Sequence, residues 1–319
     1  MTSRAIIAPV LAAAVLAATG LGIGFFTDDA YHLLILEGER TPATDGSLYT
    51  FASGDPAVAR EFIEKGPYPW WTSPDVKCRF MRPLSNTMHR IDHALFGRNA
   101  VYWHIHTMLW YLAIVALWTM IARRTLTLPV AALAALVFAI DDCHWMPAVW
   151  IANRNATIAT APALFGLYMH LRWREDRWRP GLPLSIASYA VAMFGGEAWL
   201  GIAAYVAAYE LFGRTDTIAR RAAHLAPAAA CAIGYAIAYK TLGYGVTGSG
   251  VYVEPLSALY LEEAPGRILA LLGGLLIQSP ADAWAFSANM RGPLIAAGAA
   301  GLMFFGVLLR NAWPAIDPR

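Results

Sequence analysis

AIIAPVLAAAVLAATGLGIGFFTDD (residues 5–29) opens the chain with an unbroken apolar stretch and closes it with two aspartates. Residues 5–26 are long enough to cross a hydrocarbon core at a rise of 1.5 Å per residue. Arg4 precedes the stretch, and no small-x-small cleavage site separates it from the polar residues beyond. It therefore reads as a retained anchor whose start is cytoplasmic. Acids at the exit of a membrane helix are costly to keep near lipid. Asp28 and Asp29 are the first candidate functional residues; the alternative is that they mark the membrane–water boundary.

Over 319 residues the chain is 58% hydrophobic and 14% charged, with a mean hydropathy of +0.45, far above a soluble domain of this length. The expected fold class is all-α: a polytopic transmembrane helical bundle forming a single membrane domain over residues 1–319, with about eight to nine hydrophobic spans. A net charge of +2, with arginines scattered rather than striped, argues against a nucleic-acid partner. Cys78, Cys143 and Cys231 lack metal-ligand spacing. Unpaired thiols are the expected state, and a Cys78–Cys143 disulfide is the alternative.

Working outward, residues 101–121 end in Arg123 and Arg124, and residues 126–140 end in Asp141 and Asp142. Residues 151–171 end in Arg172, Arg174, Arg177 and Arg179. The pair 182–194 and 198–212 flanks Glu197 and leads to Arg214, Arg220 and Arg221. Residues 222–242, a short stretch 268–277 and residues 294–309 complete the set. The Arg-rich connections share one side when the N-terminus is cytoplasmic. Asp28 with Asp29, Asp141 with Asp142, and Glu197 then converge on the opposite face. The expected location is a bacterial inner membrane, multi-pass, with the site on the outer (periplasmic) face.

The first outer loop, residues 27–99, is the one long hydrophilic segment. Pro67, Pro69, Trp70, Trp71 and Pro74 give it an interfacial signature. Within it, Leu84, Met88, Ile91 and Leu95 recur at helical spacing, which predicts an amphipathic helix over 84–96 lying along the membrane surface.

Four segments carry a resemblance: TDDAYHL (27–33), FMRPLSNTMHRIDHALFGRNAVYWH (80–104), HWMPAVWIANR (144–154) and GGEAWLGIAAYVAAYELF (195–212). In this order they resemble the GT-C-fold membrane glycosyltransferases. The nearest likeness is to the protein O-mannosyltransferase-like branch that includes the tetratricopeptide-containing O-mannosyltransferases and bacterial relatives. The resemblance implies an inverting transfer of a sugar from a polyprenyl-phosphate carrier to an acceptor on the outer face. Asp28 and Asp29 match the family's acidic pair, one of them the general base. Arg82 matches a basic position suited to the donor phosphate, where a guanidinium offers a planar fork of donors; its alternative is a capping or headgroup-binding role. Arg154 matches a second arginine needing an acid or a lipid phosphate as partner. His144 and Glu197 are supporting residues. No metal ligands are assigned, and use of a divalent metal is left open. The implied partners are membrane lipid and the polyprenyl-phosphate carrier, with further membrane subunits as an option.

The chain departs from the pattern in three places. Gly196-Glu197 stands where a Lys-Glu pair is common, Met146 where an acid is expected, and Asp141-Asp142 where a His-Pro pair is expected. These departures keep a second function open, a non-catalytic structural or assembly subunit of a larger membrane complex. A small transporter is a third reading, disfavoured because no paired halves are visible.

Overall fold

The computed structural model of the chain describes residues 4–249 and 252–316. These are mostly helical, with little strand. They group into two compact units, Met1–Ser249 and Gly250–Arg319, where the sequence reading has one membrane domain. In the first unit the helices are α1 (Arg4–Ala18), α2 (Asp28–Leu36), α3 (Pro56–Glu64), α4 (Pro83–Phe96), α5 (Ala100–Thr125), α6 (Leu128–Ile140), α7 (Trp145–Val149), α8 (Asn155–Glu175), α9 (Gly181–Gly195), α10 (Trp199–Phe212) and α11 (Ile218–Thr241). The second unit holds α12 (Ala258–Ile277), α13 (Ala283–Phe286) and α14 (Arg291–Ile316), with α12 packed along α14.

Among the described residues, three helices are long and apolar enough to cross a membrane unaided: Ala100–Thr125, Ile218–Thr241 and Ala288–Leu308. Four shorter apolar stretches, Ile7–Gly22, Leu128–Ile140, Gly181–Gly195 and Trp199–Phe212, account for other hydrophobic runs in the sequence. The reason is local. Apolar run length overstates helix length where glycine interrupts it: α1 stops at Ala18 and tightens into a 3-10 turn over Thr19–Gly22 as Gly20, Gly22 and Gly24 approach.

The core of the first unit lies between α8 and α9, closed by α5, α10 and α11. Ala159, Ala163 and Leu164 face Tyr189 and Ala192, and Trp199 and Val206 are fully buried beside them. Small residues let the two backbones approach. A Cβ built on Gly195 would sit 2.7 Å from the Ala159 Cα. At the other end of α8, Glu210 is fully buried, 2.6 Å from Arg174 Nε and 2.8 Å from His170 Nε2, and Arg174 also reaches Asp216 at 2.6 Å. Arg174, read as a loop cation, is thus consumed in an ion pair that ties α8 to α10.

The long hydrophilic segment, residues 27–99, folds rather than trailing. Strands β1 (Thr50–Ser53), β2 (Lys77–Arg79) and β3 (Gly245–Thr247) form an antiparallel sheet in that order, with Ala52 opposite Cys78 and Cys78 opposite Val246. The strand after α11 therefore clamps the loop onto the helices. Cys78 is buried on β2 and Cys143 is exposed; they lie apart and form no disulfide with each other. Helix α4 covers the amphipathic stretch expected over 84–96, with an inverted sense. Ser85, His89 and Asp92, at i, i+4 and i+7, are buried, while Ile91 and Leu95 face outward.

Gly195→Ala is expected to lower the thermal midpoint of the detergent-solubilised chain, at a cost of about 1–3 kcal/mol for overpacking. Gly234→Ala, where a Cβ meets nothing within 4 Å, serves as the control. Equal midpoints for the two variants would contradict the close α8–α9 approach.

Candidate functional site

Helix α2 starts at the two aspartates, and they are not equivalent. Asp29 is buried; its Oδ1 accepts the Ala152 N–H at 2.6 Å and its Oδ2 accepts the Phe26 N–H at 3.1 Å. Burial outweighs those two hydrogen bonds and pushes its pKa up to about 6. Asp28 is half-buried, accepts no hydrogen bond among the described residues, and has its pKa raised by burial alone. The paired acids thus divide: Asp29 staples the start of α2 to the turn before α8, and Asp28 is left free.

Arg82 stands just ahead of α4, with Pro83 opening the helix. Its guanidinium lies 4.4 Å from the Phe80 ring centroid and 5.0 Å from that of Tyr49. Its Nε donates to Glu197 Oε2 at 2.9 Å. The terminal nitrogens make no hydrogen bond among the described residues. An arginine held on its faces by two rings and from behind by a carboxylate presents its remaining N–H groups in a fixed direction. Both Asp28 and Arg82 act electrostatically on the Cys78 thiol, which burial pushes up to about 11.

Gly196 explains how the carboxylate keeps a cation without a neighbouring lysine. Its φ of +148° lies in a region closed to most side chains. A Cβ there would meet Asn155 Nδ2 at 3.3 Å and Arg82 at 3.5 Å. Arg82 arrives from the segment 27–99 into the space a residue-196 side chain would need. Glu197 Oε1 is buried without a partner. The Tyr239 hydroxyl interacts with this carboxylate and donates to the Arg79 carbonyl at 3.4 Å.

A run of rings links Arg82 to Arg154. Tyr49 lies 5.1 Å from His32, His32 lies 5.2 Å from His89, His89 lies 5.8 Å from Trp103, and Arg154 sits 5.9 Å over Trp103. His32 is buried, and both its ring nitrogens lack a sound hydrogen bond. Burial, with Arg154 and Arg82 nearby, drops its pKa to about 3, so the ring is neutral.

Arg154 lies in the 3-10 turn Ala152–Arg154 ahead of α8, not inside a span, and it is fully buried. It finds the acid that its burial demands in Asp92 of α4. Arg154 Nη1 approaches Asp92 Oδ2 at 2.6 Å and donates to the Trp103 carbonyl at 3.3 Å. The Asp92 contact is an ion pair with poor N–H alignment, since Oδ2 has no hydrogen bond. Asp92 Oδ1 meets His106 Nδ1 at 2.7 Å, and Trp110 Nε1 donates to His106 Nε2 at 3.1 Å. That assigns the His106 proton to Nδ1.

His144 does not join this group. It packs on Phe138 at 4.3 Å and Tyr111 at 5.9 Å, and among the described residues makes no hydrogen bond or ion pair with Asp28, Asp29, Arg82 or Glu197. Sequence reasoning brought together Asp28, Asp29, Arg82, Arg154 and Glu197 but missed His32, Tyr49, His89 and Asp92. The signal for the last two was present: they share a stripe with Ser85 on the polar side of the amphipathic helix. Comparison of the chain with protein-family models, with curated proteins and with solved structures finds no match.

Removing one partner of a buried ion pair leaves an uncompensated charge, at a cost of about 3–5 kcal/mol. Asp92→Asn is expected to lose most of the folded yield or to unfold well below wild type. The double replacement Asp92→Leu with Arg154→Met should recover much of that loss. An unchanged thermal midpoint for Asp92→Asn would contradict the pairing.

Proposed function

We propose that this chain is a membrane glycosyltransferase of the GT-C type, embedded with a cytoplasmic N-terminus. It transfers a sugar from a polyprenyl-phosphate-linked donor to an acceptor hydroxyl at the outer face of a bacterial inner membrane. The observation that carries the reading is the ring-clamped Arg82–Glu197 pair, whose guanidinium, like the carboxylate of Asp28, acts electrostatically on Cys78. The inverted sense of α4 supports the membrane assignment: its outward apolar stripe suits lipid, and its inward polar stripe carries the site. Exposed Trp70 and Trp71 suit the headgroup layer.

Asp28, made more basic by burial, takes the proton of the acceptor hydroxyl. The acceptor oxygen forms a bond to the anomeric carbon from the face opposite the phosphate. The carbon–oxygen bond to phosphate breaks, and its electron pair stays on the phosphate oxygen. The terminal nitrogens of Arg82 stabilise that developing charge as a bidentate fork. Glu197 sets the angle of the fork, and Asp29 fixes the turn that carries Arg154. Arg154 is a positioning residue in this scheme, since Asp92 already occupies it. The structural-subunit reading expects Glu197 to be capped by backbone amides or turned to a partner chain; its observed partner is Arg82.

The test is transfer from a short-chain polyprenyl-phosphate sugar to peptide or glycan acceptors by the chain in proteoliposomes. Asp28→Asn should lower transfer about 10²–10⁴-fold with little change in thermal midpoint. Full activity in Asp28→Asn would reject the base, and an inert wild-type chain across donors would favour the subunit reading.

A further inference from the structure

The turn between α6 and α7, apart from the Arg82–Glu197 site, gathers three unlike donors. Asp141, Cys143 and His144 each offer one ligand atom, and the three atoms lie within 4.8 Å of one another. The turn itself brings this about. The Asp141 carboxylate accepts the Cys143 N–H at 3.0 Å and winds residues 142–144 into a 3-10 turn. The His144 ring is held against Phe138 and Tyr111, and its Nδ1 is buried with no well-formed hydrogen bond among the described residues. A buried ring nitrogen without a well-formed hydrogen bond is uncommon and calls for an explanation. Beside it opens a cavity of about 240 Å³ lined by Asp141 and His144 together with Leu16, Thr19 and Ala148.

We propose that Asp141, Cys143 and His144 form a binding site for a divalent transition metal of the zinc class, with a fourth position open toward this cavity. Carboxylate, thiolate and imidazole are a borderline-soft set that suits zinc and disfavours magnesium and calcium. Three protein ligands plus one open position is the pattern of an accessible zinc site. The Cys143 thiol loses its proton to solvent on binding. Metal–sulfur and metal–nitrogen bonds of about 2.3 and 2.0 Å need donor separations of roughly 3.5 Å, so the turn closes by about an ångström. Cys143 is exposed. Spacing among cysteines alone does not register such a set, because its other donors are an aspartate and a histidine.

The experiment uses the full chain, purified in detergent without a histidine tag. Titration with Co²⁺ should give a thiolate-to-metal charge-transfer band saturating at one ion per chain. The band should vanish in Cys143→Ser and survive in the Cys78→Ser, Cys231→Ser double variant. His144→Ala and Asp141→Asn should each weaken binding roughly tenfold or more. In the wild-type chain, which needs no variant to fold, Zn²⁺ should slow maleimide alkylation of Cys143 and Mg²⁺ should not. A band that persists in Cys143→Ser, or alkylation of Cys143 that is indifferent to Zn²⁺, would overturn the site.

Discussion

The contact between Arg154 and Asp92 constrains the rest of the first unit. Both side chains are buried, and a charge withdrawn from water demands a counter-charge at close range. The pair joins α4, from the long hydrophilic segment, to the turn that starts α8, in the helical core. Once it forms, α4 has to turn its polar stripe inward. Ser85 then reaches the Gly195 carbonyl at 2.6 Å and His89 reaches the Ile151 carbonyl at 3.1 Å. Asp29 closes the same turn from the other side through the Ala152 N–H. The segment is thereby fixed to the helices by polar contacts, to which Met81 adds an apolar one in the helical core.

That fixation determines what Arg82 does. Standing immediately before α4, it inherits the helix's orientation, and its guanidinium enters the gap left by Gly196. A guanidinium between two aromatic rings and behind a carboxylate has lost its freedom before any ligand arrives, so little ordering cost remains for binding an anion. The division of labour between the aspartates follows the same logic. Asp29 is committed to two backbone amides; Asp28, one residue earlier, points elsewhere and keeps its carboxylate free.

The helical class was legible in composition and apolar run length, and short motifs singled out both Arg82 and Glu197, which pair in the structure. Span length was less so, because glycines at 20, 22 and 24 end α1 within an apolar run. Arg154 was read as lying inside a span because its neighbours Trp150 and Ile151 are apolar; a 3-10 turn there adds no hydropathy signal. His144 was drawn into the site by sequence order, yet its ring is claimed by Phe138 and Tyr111. The partner of Glu197 could not be read from its neighbours at all. It comes from 115 residues away, through a backbone conformation at Gly196 that only the fold reveals.

The central claim is that Arg82 is a phosphate-binding group whose direction is set by Glu197. Binding of sugar-free polyprenyl phosphate to the chain in detergent, followed by native mass spectrometry, tests it most directly when paired with the charge-swapped variant Arg82→Glu, Glu197→Arg. The swap keeps an ion pair between the same two positions but moves the cation off the ring clamp. The account predicts specific, salt-sensitive binding by the wild-type chain and its loss in the swapped variant at a preserved thermal midpoint. Equal binding by both chains would contradict it.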